Sequence, residues 1–277
     1  MPMQDATTDE RIRNRILGQL SRSQWELLQP HSEMRPLKRG KPISSPSEPG
    51  ARVVFPIDCI VSLRCELADG HGSEFAMVGN EGVVGISAFT SVEAQSTDAA
   101  VQCPGRALSV RTSVMRLMFD ADPAFRCIVL RYMQALLNAA SQTATCYRHH
   151  GIEQQVARVL LAIHDRLDGV LLPLTHEVIA GMLGVRREGV TEATNALRRD
   201  GLIEYARGRI HLLDLRGLAD HACECYAQIR DKYRRMAGER WAASSRACCN
   251  THRAAAFCPT LGPCHRPEVD DEREPRR

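Results

Sequence analysis

Apolar residues recur along the chain with changing periods, and each change marks a new element. From about Asp9 to Leu28 the spacing predicts an amphipathic opening helix. From about Met34 to Met118 it changes to short β-prone runs separated by turn chemistry. Within that stretch "ARVVFPIDCIVSLRCEL" meets "EFAMVGNEGVVGI" across "ADGHGS", whose Asp-Gly reads as a hairpin connection. Glycines at 70, 72, 79, 82, 85 and 105 punctuate it as in a compact barrel or sandwich. No helical pattern alternates with these strands, which argues against a parallel α/β sheet.

A long helix follows. Asp122 is a good N-cap and Pro123 suits the first helical position. Phe125, Val129, Tyr132, Leu136, Ala139, Thr143 and Cys146 form one stripe; Leu130, Met133, Leu137 and Ala140 form a second beside it. From Pro123 to Tyr147 the helix spans about 37 Å. One stripe suits the β domain and the other a further helix, either its own copy in a dimer or a wide core within one subunit.

Gly151 breaks that pattern, and Ile152, Val156, Val159, Leu160, Ile163 and Leu167 begin another helix. In "LTHEVIAGMLGVRREGVTEATNALRRDGLIEYARGRIHLLD", Thr175 caps a helix burying Val178, Ile179, Met182 and Leu183, with Ala180 and Gly181 small enough for a close crossing. Gly184 ends it. The next helix buries Val190, Ala193, Thr194 and Leu197, and exposes Arg187, Thr191, Asn195 and Arg198 flanked by Glu188, Glu192 and Arg199. Asp200-Gly201 stops it, and "LIEY" and "RIHLL" face each other across "ARG". This is a helix-turn-helix with a β-hairpin wing. Its second helix suits a major groove: Arg187 to fork onto guanine, Glu188 to accept from a cytosine amino group. Arg198, Arg199, Arg207 and Arg209 are placed for phosphates.

Charge tempers that reading and does not reverse it. The chain of 277 residues has a formal charge of only +3. From Thr175 to His211 the six arginines 186, 187, 198, 199, 207 and 209 face five acids, so the site is patterned and not a basic patch. No apolar run approaches the ~20 residues needed to cross a bilayer. "MPMQDATTDERIRNR" has no signal-peptide core, so a cytoplasmic location is expected.

The stretch from Thr175 onward resembles the winged helix of the bacterial Crp/Fnr transcription regulators, and the long helix and Gly-punctuated β segment match the rest of that architecture. The expected fold is α+β: a jelly-roll-like antiparallel β-roll, a long dimerisation helix and a C-terminal winged helix-turn-helix. The expected organisation is an N-terminal helix (1–30), a β-roll sensor (31–120), the dimerisation helix (121–150), the winged domain (151–236) and a disordered tail (237–277). The resemblance implies a homodimer on a near-palindromic operator, with double-stranded DNA and RNA polymerase as partners and no membrane. It puts DNA contacts at Thr175, Arg186, Arg187, Glu188, Thr191, Glu192, Asn195, Arg198, Arg199, Arg207 and Arg209. The family's Arg-Glu recognition pair falls on Arg187 and Glu188. Its third base-reading position, usually Arg, is Glu192, and the Ser that often precedes the pair is Arg186. In members that bind cyclic AMP a Glu holds the ribose and an Arg-Ser pair holds the phosphate. The matching stretches, "GISAF" (85–89) and "STDAA" (96–100), lack both, and Asp98 would repel a phosphate. Cyclic AMP is not expected, and no cofactor is assigned.

Eleven cysteines form no C-x-x-C pair, and no metal site is assigned. "HACEC" (His221, Cys223, Cys225) reads as a packing helix before a metal or thiol sensor; "CYRHHGIE" (Cys146, His149, His150, Glu153) reads as a polar hinge before a metal or haem ligand set. The tail's four cysteines and two histidines fit no zinc spacing. The alternative function is a protein-interaction or redox/metal-sensing module whose winged helix does not bind DNA, kept open by Glu188 and Glu192. An enzyme is not expected: no nucleophile–base pair or phosphate loop is present, and "HEVIAGM" lacks the second His of HExxH.

Overall fold

In the computed structural model, which describes residues 8–40, 43, 51–66, 68, 72–90, 98–167 and 169–236, the opening segment is three short helices where one was expected. These are α1 (Thr8–Arg13), α2 (Arg15–Gly18) and α3 (Arg22–Leu28). Two short polar side chains restart the helix. Asn14 accepts from the amides of Ile16 and Leu17, and its own amide donates to the carbonyls of Pro56 (3.0 Å) and Gly82 (2.9 Å). Ser21 closes a capping box with Gln24. An Asn or Ser that satisfies free helix N–H groups starts a new helix more readily than it continues an old one.

The β segment runs β1 (Ser32–Leu37), β2 (Arg52–Pro56), β3 (Ile60–Glu66), β4 (Gly72–Val78), α4 (Ser87–Thr90), β5 (Asp98–Cys103) and β6 (Gly105–Arg111). It forms two three-stranded antiparallel sheets, ordered β1-β6-β2 and β4-β3-β5. The β3–β4 hairpin is the one expected from "ADGHGS". The apolar run before it is not one strand. It turns a corner at Ile57–Cys59, where the Asp58 carboxylate takes the backbone N–H and guanidinium of Arg106, and β2 and β3 enter different sheets. A side chain at Gly105 would collide with the Asp58 backbone, so the corner requires glycine there. Strand β2 is buried on both faces: Val53 and Phe55 pack with Leu108, Val110 and Trp25, while Val54 packs with Val61, Val78 and Ala107. Apolar contact on both sides explains its unbroken Val-Val-Phe.

After α5 (Thr112–Ala121), the 27-residue α6 (Pro123–His149) starts on Asp122, whose carboxylate accepts from the amides of Ala124 and Phe125. Its two stripes have different fates. Phe125, Val129, Tyr132, Ala139, Thr143 and Cys146 are buried, whereas Leu130 and Leu137 are 50% and 61% exposed, with Met133 beside them. The winged part contains α7 (Ile152–His164), β7 (Leu171–Leu172), α8 (His176–Leu183), α9 (Arg187–Arg199), β8 (Ile203–Ala206), β9 (Arg209–Leu212) and α10 (Leu215–His221). Helix α11 (Cys225–Met236) returns along α6, its Tyr233 and Met236 joining the core that holds Ala135 and Ala139. The expected tail lies outside the described residues, apart from what precedes it. Overall the fold is α+β, a β-roll joined by a long helix to a winged helix-turn-helix.

The β-roll and winged part share a buried ion pair: Arg166 Nε donates to Glu81 Oε1 at 2.8 Å, and Arg166 Nη1 donates to the Ala162 carbonyl at 2.7 Å. Nearby Glu74 is buried on β4 and hydrogen-bonded by the Ser62 hydroxyl. Burial pushes its carboxyl up from 4.5 to about 7, against the lowering influence of that bond and of Arg158, Arg166 and Arg64. The folded state therefore holds an extra proton. Its contribution to stability is complete below about pH 4.5 and is lost as pH rises to about 7. Glu74→Gln should remove that decline and raise stability at about pH 8 by on the order of 3 kcal/mol, read from urea midpoints compared with those at about pH 5.

Candidate nucleic-acid interface

Helix α8 begins at Thr175, whose hydroxyl accepts from the Val178 amide at 3.2 Å, and buries Ile179, Ala180, Met182 and Leu183. Gly184 ends it in the left-handed region (φ +67°), where Ala180 O takes the Gly184 and Val185 amides. Gly181 makes no close crossing. A Cβ there would meet open space, because one residue past Ala180 on a helix points away from the partner. At the N-cap of α9, Arg186 makes no side-chain cap bond. Four residues, Val190, Ala193, Thr194 and Leu197, are buried, as the spacing predicts. The other side presents Arg187, Glu188, Glu192, Asn195, Arg198 and Arg199 to solvent, with no apolar side chain among them.

A residue that sequence reasoning missed fixes this helix. His176 Nδ1 lies 3.1 Å from Thr191 Oγ1 and Nε2 lies 3.0 Å from Thr194 Oγ1, while its ring stacks on Tyr205 of the wing at 4.2 Å. One imidazole thus joins α8, α9 and β8. Since Thr194 Oγ1 donates to Val190 O at 2.8 Å, it accepts from Nε2–H, while the single Thr191 hydroxyl proton serves either Arg187 O at 3.0 Å or Nδ1. Donation to Nδ1 is the arrangement of a neutral ring. Thr191 is half-buried and occupied here, and Thr175 is occupied as a cap, so both serve the domain's own structure. A His in the first turn of a helix has no sequence signature for such a bridge. The two threonines three apart on the next helix are the only trace.

The wing pairs β8 with β9, Ala206 opposite Arg209, and a short third strand, β7, adds to β9. Two residues carry no period, so β7 has no signature in the sequence. Arg207 (φ 50°) and Gly208 (φ 76°) are both left-handed, as a two-residue hairpin turn requires. Such a conformation costs a non-glycine residue about 1 kcal/mol, which here holds a guanidinium at the wing tip beside Arg209.

Elsewhere, the "GISAF" stretch is Gly85 leading into α4. Phe89 fills the core and meets Phe119 edge-on at 6.0 Å. The first two residues of "STDAA" and the side chain of Asp98 lie outside the described residues. "CYRHHGIE" and "HACEC" come together. Cys146 and Cys223 are buried with their sulfurs 3.5 Å apart, and the hydrogen bond between them pulls the Cys223 thiol down and pushes the Cys146 thiol up. His149 is exposed, and Glu153 pairs instead with His221.

Burial first, and then the positive charge of Arg187, hold His176 below the usual histidine range. The winged domain should therefore keep this contribution above about pH 6.5 and lose it as the medium is acidified below that, when the ring must take a second proton. His176→Asn should flatten this acid limb and speed amide exchange in α8 and α9 at neutral pH, measured by hydrogen–deuterium exchange.

Residues 154–221 match the family model of the Crp-like helix-turn-helix domain. Over 59 residues the chain is 41% identical to the transcriptional regulator SdrP of Thermus thermophilus, a match covering 21% of this chain. It spans only 29% of that relative's length. Among solved structures, FixK2 of Bradyrhizobium japonicum superposes with a TM-score of 0.60 at 18% identity, covering 69% of this chain and 98% of that one. A Crp/Fnr-family protein from Eubacterium rectale gives 0.57 at 16% identity, covering 74% and 96%. At these identities the structures speak to fold, and the family model speaks to the winged domain. The chain thus carries a Crp-like helix-turn-helix domain at residues 154–221, within a fold similar to that of these two structures.

Proposed function

We propose that the chain is a homodimeric, sequence-specific DNA-binding transcription regulator. The observation that carries this reading is the outer face of α9, a helix anchored through four buried residues that presents only charged and polar side chains to solvent. A helix of this kind fits the major groove, where base pairs offer distinct donor and acceptor patterns. Arg187 and Glu188, in its first turn, are the base-reading pair. Glu192 replaces the arginine usual in the family, so the half-site differs from the one that arginine reads. Arg186, Arg198, Arg199, Arg207 and Arg209 meet phosphates and set register, and Asn195 lies between the two groups. The matched relative, SdrP, is a transcriptional regulator, which agrees with this assignment.

A second copy of the chain is the partner that covers Leu130, Met133 and Leu137. They recur at steps of three and four on the exposed side of α6, the spacing of a helix-pair seam. Two winged domains held by such a pair would address half-sites about 34 Å apart. The β-roll responds to a signal other than cyclic AMP, since neither the ribose-holding Glu nor the phosphate-holding Arg is present in "GISAF" and "STDAA". No described helix is long and apolar enough to cross a membrane, in keeping with a cytoplasmic regulator that meets DNA and RNA polymerase directly.

Duplexes selected by the chain from a random pool should contain inverted half-sites. Arg187→Ala should then cost about 1–3 kcal/mol of preference for the selected duplex over a scrambled one, with the dimer mass unchanged in light scattering. Retained preference would refute the placement of α9. Leu137→Glu should yield a monomer of unchanged far-ultraviolet circular dichroism that binds the full site far more weakly.

A further inference from the structure

Two sequence stretches that carry no metal spacing of their own converge at the far end of α6. Cys146 and His150 stand one turn apart at its C-terminus and so share a face. Cys223 and Cys225 flank the start of α11, 77 residues further along from Cys146. Their donor atoms, three sulfurs and one imidazole nitrogen, all lie within 4.8 Å of one another. We propose that Cys146, His150, Cys223 and Cys225 form a tetrahedral Cys3His site for a zinc-like divalent cation, joining the end of α6 to the start of α11.

Two edges of the cluster already have the lengths that ion requires. With metal–sulfur bonds of about 2.3 Å and metal–nitrogen bonds of about 2.05 Å, a tetrahedron has edges of about 3.8 Å between sulfurs and about 3.6 Å between sulfur and nitrogen. Cys146 Sγ and Cys223 Sγ are 3.5 Å apart, and Cys225 Sγ is 3.6 Å from His150 Nδ1. The other donor–donor distances lie within 4.8 Å, so side-chain adjustments of up to about 1 Å would seat the ion. Three thiolates and an imidazole in a closed tetrahedron are the donor set of structural zinc and a poor one for magnesium or calcium, which need oxygen.

The surroundings are those of a built site. His150 directs Nδ1 inward while Nε2 lies 3.3 Å from the Glu224 carboxylate, the arrangement that orients a metal-bound imidazole and makes it more basic. Gln142, one turn before Cys146, donates its amide to Cys225 Sγ at 3.1 Å. Cys225 opens the 12-residue α11, with its sulfur beside the Gln142 amide and His150 Nδ1. The three cysteines are buried and form a small cluster of their own, separate from the main cores. The site's position gives it reach. Tyr147, next to Cys146, donates its hydroxyl to the Met182 carbonyl on α8 at 3.1 Å, so the turn of α6 that would hold the ion also holds the helix-turn-helix. The site itself does not depend on whether α9 meets DNA.

The test uses the reduced full-length chain, stripped with a chelator and titrated with cobalt(II) alone. About one equivalent should give thiolate-to-cobalt charge transfer and the intense visible bands of tetrahedral cobalt, and zinc should abolish them. Cys223→Ser and Cys225→Ser should remove the charge-transfer signal or weaken binding at least tenfold. Replacing all four tail cysteines, Cys248, Cys249, Cys258 and Cys264, by Ser should leave the bands intact. Glu224→Gln, at an exposed position that folding tolerates, should weaken zinc binding about 10- to 100-fold. Absence of tetrahedral bands in the reduced chain would overturn the proposal. So would bands that survive Cys223→Ser but vanish with the tail cysteines. A Cys146–Cys223 disulfide under mild oxidation, in a chain that takes up no cobalt when reduced, would likewise overturn it in favour of a thiol pair.

Discussion

The contact on which the two halves depend is the buried ion pair of Glu81 and Arg166. Arg166 comes from the end of α7, Glu81 from the turn after β4, and the guanidinium also lies 5.5 Å from the ring of Tyr233 on α11. Three elements far apart in sequence therefore share one charge. Its turn is shaped by absent side chains. A Cβ at Gly79 would come within 2.7 Å of the Arg166 side chain, and one at Gly82 within 2.5 Å of the Tyr132 hydroxyl, which itself donates to Val83 O. Asn14 then holds the Gly82 carbonyl from the N-terminal side. A pair buried this way adds less by forming than it costs to break. Losing one partner strands a charge out of water at about 3–5 kcal/mol. It fixes where the winged part sits more than how tightly it sits.

Much of the winged part was legible because its signals are local. Thr175, Gly184, Asp200-Gly201 and the Arg207-Gly208 turn each act through their own backbone, and the four buried positions of α9 follow from a period of 3.6. Asp122 announced α6 in the same way. What stayed hidden depends on partners distant in the chain. The corner between β2 and β3 is made by Asp58 holding Arg106, which no apolar count reveals. Asn14 splits the opening helix because its amide finds Pro56 and Gly82, contacts that exist only after the β-roll closes. His176 and the Cys146–Cys223 contact are invisible for the same reason: each joins residues whose spacing means nothing until the helices cross.

The candidate site divides along the same line. Which side chains of α9 face outward could be read from the sequence, since exposure on a helix is a matter of angle. Which of them are free to meet a ligand could not. Thr191 counts as outward by its angle but is half-buried and occupied by His176. On the proposed function the mixed charge of Arg187 and Glu188 at the head of α9 follows, since a face that reads bases needs both donors and acceptors, whereas one that only grips phosphates needs cations.

Helix α6 runs through Gly151 into the winged part, and α11 leaves that part to lie back along α6. The winged body is thus tethered twice to the same rod, once by covalent chain and once by packing, and a third time to the β-roll through Arg166 and Glu81. A body held at three places turns only when one of those contacts gives way, and Arg187 moves with it.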